Sequence, residues 1–156
     1  MYNDHVTVFN FYESPITGEI TWYPHVLQMC DLITDRGAII KKYGVDSTDT
    51  AQLHVRWYDA DAGDICVLRS SGDYLPYLPP KEWKKQTNDK LVESITFSDK
   101  DFFCKGIWIG RDAPISDDDY RGGFYQHVNN LNDNVFKVSS VGGPYTLIPH
   151  FEILGK

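Results

Sequence analysis

Leu53-His54-Val55-Arg56-Trp57-Tyr58 sets apolar side chains at every second position, with His54 and Arg56 between them. A period of two marks a half-buried strand, because successive side chains leave a strand on opposite faces. Working outward, Ala51 to Tyr58 reads as one strand and Asp64 to Arg69 as its partner. Asp59-Ala60-Asp61-Ala62-Gly63 joins them, and a late glycine in such a connection suits a hairpin.

The same strand character recurs along the chain. Val6-Thr7-Val8-Phe9-Asn10-Phe11-Tyr12 is β-branched and aromatic, Pro15-Ile16-Thr17-Gly18 punctuates it, and Ile20-Thr21-Trp22-Tyr23 resumes it. His25 to Thr34 also fits a helical stripe through Val26, Leu27, Met29, Leu32 and Ile33. Pro24 before it and the turn Asp35-Arg36-Gly37 after it favour strand. Ala38 to Tyr43 reads as a short strand, and Asp46 to Thr50 as a polar loop.

Beyond the central hairpin lies a loop-rich stretch, Ser70-Ser71-Gly72-Asp73 and then Leu75-Pro76-Tyr77-Leu78-Pro79-Pro80. Pro80 suits the first position of a short helix through Gln86. Phe102 to Gly110 reads as a strand. Ser116 followed by Asp119 resembles a capping box, with Asp117 and Asp118 at the positive end of a short helix that Gly122-Gly123 would weaken. Val135 to Val141 and Thr146 to Leu154 close the chain as two strands around Gly142-Gly143-Pro144, with Pro149 marking an edge or a bend. Many strands with little helix between them predict a mainly β chain, a β-barrel or sandwich with one or two short helices. Residues 1–156 suit a single β-rich domain.

Composition narrows the function. A formal charge of −7 opposes a general nucleic-acid binder, whose affinity comes from Lys and Arg. Lys81, Lys84 and Lys85 form the main basic cluster and read as the solvated face of a short helix. Cys30, Cys66 and Cys104 are widely spaced, have apolar neighbours and form no C-x-x-C pair, so they read as buried free thiols. Met1 to His5 has no signal-peptide character, and no apolar run is long enough for a membrane span. A cytosolic product is therefore expected.

Candidate chemistry is sparse. Asp59, Asp61 and Asp64 suggest a calcium loop, but Gly63 falls in the wrong position and no closing Glu follows. Asp117-Asp118-Asp119 explains itself as charge at a helix start. The histidines His5, His25, His54, His127 and His150 show no zinc spacing; His54 and His150 lie on the less apolar faces of two strands, where a fold can gather them. No G-x-S-x-G or phosphate-binding glycine pattern is present. Catalytic residues, metal ligands and cofactors are thus not expected. Tyr74, Tyr77 and Trp83, around Pro79, are candidates for stacking on a partner or a sugar, and so form the candidate interface. Tyr120 and Phe124, at helical spacing, read as core-facing.

The two ends of the chain add a resemblance. The opening Val6-Thr7-Val8-Phe9-Asn10, the pair Trp22-Tyr23, the stretch Pro80-Lys81-Glu82-Trp83, the strand Asn134 to Val141 and the ending Pro149-His150-Phe151-Glu152-Ile153-Leu154-Gly155-Lys156 occur in this order. In these features the chain resembles small structural-module proteins of phages and prophages of Gram-positive bacteria. Leu154 stands where those proteins more often have glycine. The resemblance implies a non-enzymatic virion or assembly protein, a head–tail connector or head-closure component. Its implied partners are portal, adaptor or tail components and further copies of itself in a ring, with no specific nucleic acid and no membrane. It would reside in the host cytoplasm during assembly and then in the virion. The rival readings are a carbohydrate- or receptor-binding β-module, and a small hydrolase assembled from distant histidines and acids.

Overall fold

In the computed structural model, residues 2–34, 51–60, 63–110 and 112–156 are described. The strand Ala38 to Tyr43, the loop Asp46 to Thr50, the turn at Asp35 and the acid Asp61 lie outside them. The named strands are β1 (Asp4–Glu13), β2 (Ile20–Thr34), β3 (Ala51–Asp59), β4 (Ile65–Leu68), β5 (Tyr74–Pro76), β6 (Phe102–Lys105), β7 (Ile115–Ser116), β8 (Val135–Tyr145) and β9 (His150–Gly155). Short helices are α1 (Pro80–Trp83), α2 (Asn88–Leu91) and α3 (Phe124–Leu131), with a 3-10 turn at Asp117–Asp119.

Six strands close on themselves. In the order β1-β2-β3-β9-β8-β6 each pairs antiparallel with the next, and β6 returns to β1. The fold is therefore a closed antiparallel barrel, and β4, β5 and β7 extend it outside the ring. Closure removes the unpaired edges that an open sheet exposes.

Closure depends on β2. It is one continuous strand through Pro24, which pairs with Phe9 of β1 and faces no named strand on its other side. A missing N–H is tolerated there. Between the pairs Val6–Leu27 and Asp4–Cys30 the register slips, and Met29 takes φ 57°. That extra residue is a β-bulge, which bends the strand. Cys30 pairs with both Asp4 and Val55, so β2 passes from β1 to β3 at the bend.

Alternation separates two cores. Val8, Leu53, Val55, Phe103, Phe136 and Phe151 point inward. Phe9, Trp22 and Phe102 point outward on the neighbouring face and are covered by Phe124 and Val128 of α3. The polypeptide from Leu75 to Phe97 supplies Leu75, Ile95 and Phe97 to the interior, while α1 and α2 add Trp83 and Leu91 beside Tyr23. Gly155 also matters for packing. A Cβ there would lie 3.0 Å from atoms of both Phe103 and Phe136, so a larger residue would require the rings to shift.

Three sequence readings are corrected. The strand expected over Phe102 to Gly110 stops at Lys105, because Gly106 takes φ 100° and turns the chain away. Gly142-Gly143-Pro144 is not the final turn but a register shift inside β8, and the turn is displaced to residues 146–149. Gly122-Gly123 does not weaken a helix begun at Ser116. The aspartates make a single 3-10 turn, and Gly123 at φ 94° is the N-cap of α3.

Candidate functional site

The surface with the most chemical variety lies where β3 leaves the barrel. Its upper residues pair with β4, and β4 pairs with β5, giving a three-stranded flap. Tyr58 lies opposite Cys66, which lies opposite Pro76, and Tyr74 lies opposite Leu68. Directly paired residues share a face, so Tyr58, Cys66 and Pro76 form one row across the flap. Tyr58, Asp59, Ala60, Cys66 and Tyr74 line an open cleft of about 430 Å³.

The two tyrosines meet edge to face, with centroids 5.5 Å apart and ring planes at 69°. Such an angle makes a corner, not the flat platform on which a sugar ring stacks. Arg56 Cζ lies 5.6 Å from the Tyr58 centroid, a cation–π contact. Burial pushes the Tyr58 hydroxyl up, with the Arg56 charge acting in the opposite direction. Cys66 Sγ lies 3.5 Å from the Tyr58 carbonyl, and burial, then Asp59, push its thiol up. A thiol kept protonated is a poor nucleophile.

The four residues of the candidate interface separate. Tyr74 is 58% exposed, and Pro79 is exposed at the start of α1. Tyr77 is half-buried, its ring 4.6 Å from Phe151 and 5.8 Å from Phe97. Trp83 is 1% exposed, and its role as a surface aromatic is corrected. Its ring meets Tyr12 and Tyr23 edge-on, and its Nε1 donates to the Ser94 carbonyl at 3.1 Å. The burial has a local cause. Pro80 begins α1, and one helical turn carries Trp83 back over the barrel while Lys81, Lys84 and Lys85 stay in solvent.

The fold does gather His54 and His150. Their rings are 5.4 Å apart and nearly parallel at 12°. His54 pairs across β2 and β9 with Asp31 and Glu152, so an acid lies on either side of it in one row. His54 Nε2 is buried without a hydrogen-bond partner, while His150 Nδ1 is 2.6 Å from the Ile148 carbonyl. His127 is elsewhere, against Tyr120 at 4.6 Å. Among the described residues no group of three His, Cys, Asp or Glu side chains is placed to hold a metal ion.

Asp117 has a role that its charge concealed. Its Oδ1 accepts from Trp22 Nε1 at 2.9 Å and from the Phe124 amide at 2.8 Å. The carboxylate thus joins β2 to the start of α3, whereas the sequence suggested only a helix-dipole partner. Phe124 is buried and Tyr120 half-buried, but they share no helix: Tyr120 is extended after the 3-10 turn, and α3 begins at Phe124. All three cysteines are buried and free. No described helix is long and apolar enough to cross a membrane.

Sequence reasoning missed Tyr58 as the partner of Tyr74. The available signal was the expected β3–β4 hairpin, whose register sets Tyr58 opposite Cys66. What hid the cleft was β5, three residues read as loop.

No curated protein and no solved structure matches the chain. A family model matches residues 1–156 from end to end, and the chain accordingly belongs to the family described as Family of unknown function (DUF6751).

Proposed function

We propose that this chain is a non-enzymatic structural protein of a phage particle, a head–tail connector or head-closure component. It is made in the host cytoplasm and then built into the virion. Its partners are portal, adaptor or tail proteins and further copies of itself. The observation that carries the reading is a closed barrel whose loops hold out large aliphatic side chains. Leu147 is 96% exposed and Ile148 61% on the turn between β8 and β9, while Ile109 is 92% and Ile107 61% after β6. A closed barrel leaves its loops and appended strands as the elements through which it associates, and exposed aliphatics on such loops suit a contact surface. The sequence resemblance points in the same direction. The formal charge of −7 suits a component that does not grip passing DNA.

Peptide mass spectrometry of purified particles from the source strain tests the proposal. The expected result is recovery at a few copies per particle, measured against the major capsid protein. Absence from intact particles overturns it.

A further inference from the structure

We infer that this chain associates with further copies of itself head to tail, the Pro79-Pro80-Lys81 surface of one copy docking on the Tyr58–Tyr74 cleft of the next. The inference rests on the particle-component reading and narrows its partners to the chain itself.

Two surfaces of the same molecule are complementary. The first is the cleft of about 430 Å³, with an aromatic corner in its wall and Asp59 among its lining residues. Asp64 stands beside it, held by the Ala60 amide donating to the Asp64 carbonyl at 2.7 Å across the hairpin. Both acids are exposed. The second surface is proline-rich and basic. Pro79 takes φ −56° and ψ 152°, close to polyproline II, and Pro79, Pro80, Lys81, Glu82, Lys84 and Lys85 are all exposed, so three lysines outnumber one acid. None of the described ion pairs uses these lysines.

Pro79 alone is extended, because Pro80 opens α1, so the segment offers a rigid proline corner whose rings can pack against the faces of the Tyr58–Tyr74 pair. Acids beside the groove add a preference for a following Lys. The docking segment is also held rigid within its own copy. The Tyr77 and Leu78 amides donate to the Ile65 and Ile95 carbonyls, and Trp83 anchors α1 in the core. Little ordering is then needed on binding. Charge selects this occupant over a generic one. On a chain of formal charge −7, copies repel unless a basic patch meets an acidic one. Docked head to tail, the copies make a heterologous contact, which produces a ring when the rotation closes.

The test is sedimentation velocity of the full chain from micromolar to millimolar concentration. Three variants accompany it: Lys81→Glu/Lys84→Glu/Lys85→Glu, Asp59→Lys/Asp64→Lys, and Tyr74→Ala. All the substituted positions are exposed, and circular dichroism checks that each variant folds. The wild type should associate, more weakly as salt rises. Each charge reversal should weaken association at least about tenfold, while an equimolar mixture of the two reversals should pair again. Tyr74→Ala should also weaken it. A wild type that stays monomeric at millimolar concentration, or association unchanged by both reversals, overturns the inference. A monomeric chain that is nevertheless recovered from particles sinks this contact alone and leaves the particle reading intact. Association that the paired reversals restore, in a chain absent from particles, does the opposite.

Discussion

Trp22 Nε1 and Asp117 Oδ1 are 2.9 Å apart, and the same oxygen takes the Phe124 amide at 2.8 Å. One carboxylate oxygen therefore fixes both an outward-facing indole of the barrel and the first turn of the helix that covers it. Asp117→Ala should cost about 1–3 kcal/mol, since it leaves a buried indole N–H unpaired and the start of α3 without its acceptor. Asp117→Asn keeps an oxygen in place and should recover most of the loss. Urea unfolding of the three proteins measures this. An Asn variant as damaged as the Ala variant would show that charge, not acceptor geometry, matters at this position.

Trp83 illustrates what the sequence could and could not reveal. Its neighbours are prolines and lysines, so local composition reads as surface, and only the helical turn starting at Pro80 carries it inward. Trp83→Ala should cost about 3–5 kcal/mol, as for other large buried side chains. Tyr74→Ala, at 58% exposure, should change stability by no more than about 0.5 kcal/mol. Equal effects in thermal or urea unfolding would contradict the separation of these residues into core and surface.

Strands with clear alternation were legible because burial of one face dictates period two. Val6 to Tyr12 and Ala51 to Tyr58 correspond closely to β1 and β3. Boundaries set by backbone geometry were not. Gly106 ends β6, Gly123 begins α3 and the shift at Gly142 continues β8, yet each reads in sequence as an ordinary glycine. The cleft was hidden for another reason. It depends on β5, whose three residues gain strand geometry only from pairing with β4.

Gly155 gives a prediction about packing. Its position on β9 faces the interior, where a methyl group would stand 3.0 Å from Phe103 and Phe136. Both rings are themselves buried and in contact, with centroids 5.6 Å apart, so a shift of one presses on the other. Gly155→Ala should therefore destabilise the barrel by about 1–3 kcal/mol, as over-packed cores do, despite the better strand propensity of alanine. Stability equal to or above wild type would show that the rings yield.

Among the described residues, two buried ionisable groups contribute to the pH dependence with opposite signs. His25 is enclosed with neither ring nitrogen hydrogen-bonded, and burial, reinforced by Arg69, lowers its pKa from 6.5 to about 3. Between those values the unfolded chain takes the proton and the fold refuses it, so this group's contribution to stability falls as the medium acidifies through that range. Asp101 behaves inversely. Burial raises it from 3.8 to about 7, against the Phe11 and Ser98 amides and the Asn10 side chain, which all donate to its carboxylate. Between 3.8 and 7 the fold holds a proton that the unfolded chain has lost, so the contribution of Asp101 falls as pH rises. From pH 3.8 to 6.5 the two slopes, each about 1.4 kcal/mol per pH unit, oppose one another. Asp101→Asn should therefore show a stability that rises with pH relative to wild type by about that slope. Its overall stability should be lower, because one of the three donors then faces an amide N–H. Denaturant unfolding of both proteins at several pH values across the window gives the comparison. Parallel curves would mean that the three donors prevail over burial and that Asp101 is ionised in the fold, leaving His25 to make the wild type lose stability in acid.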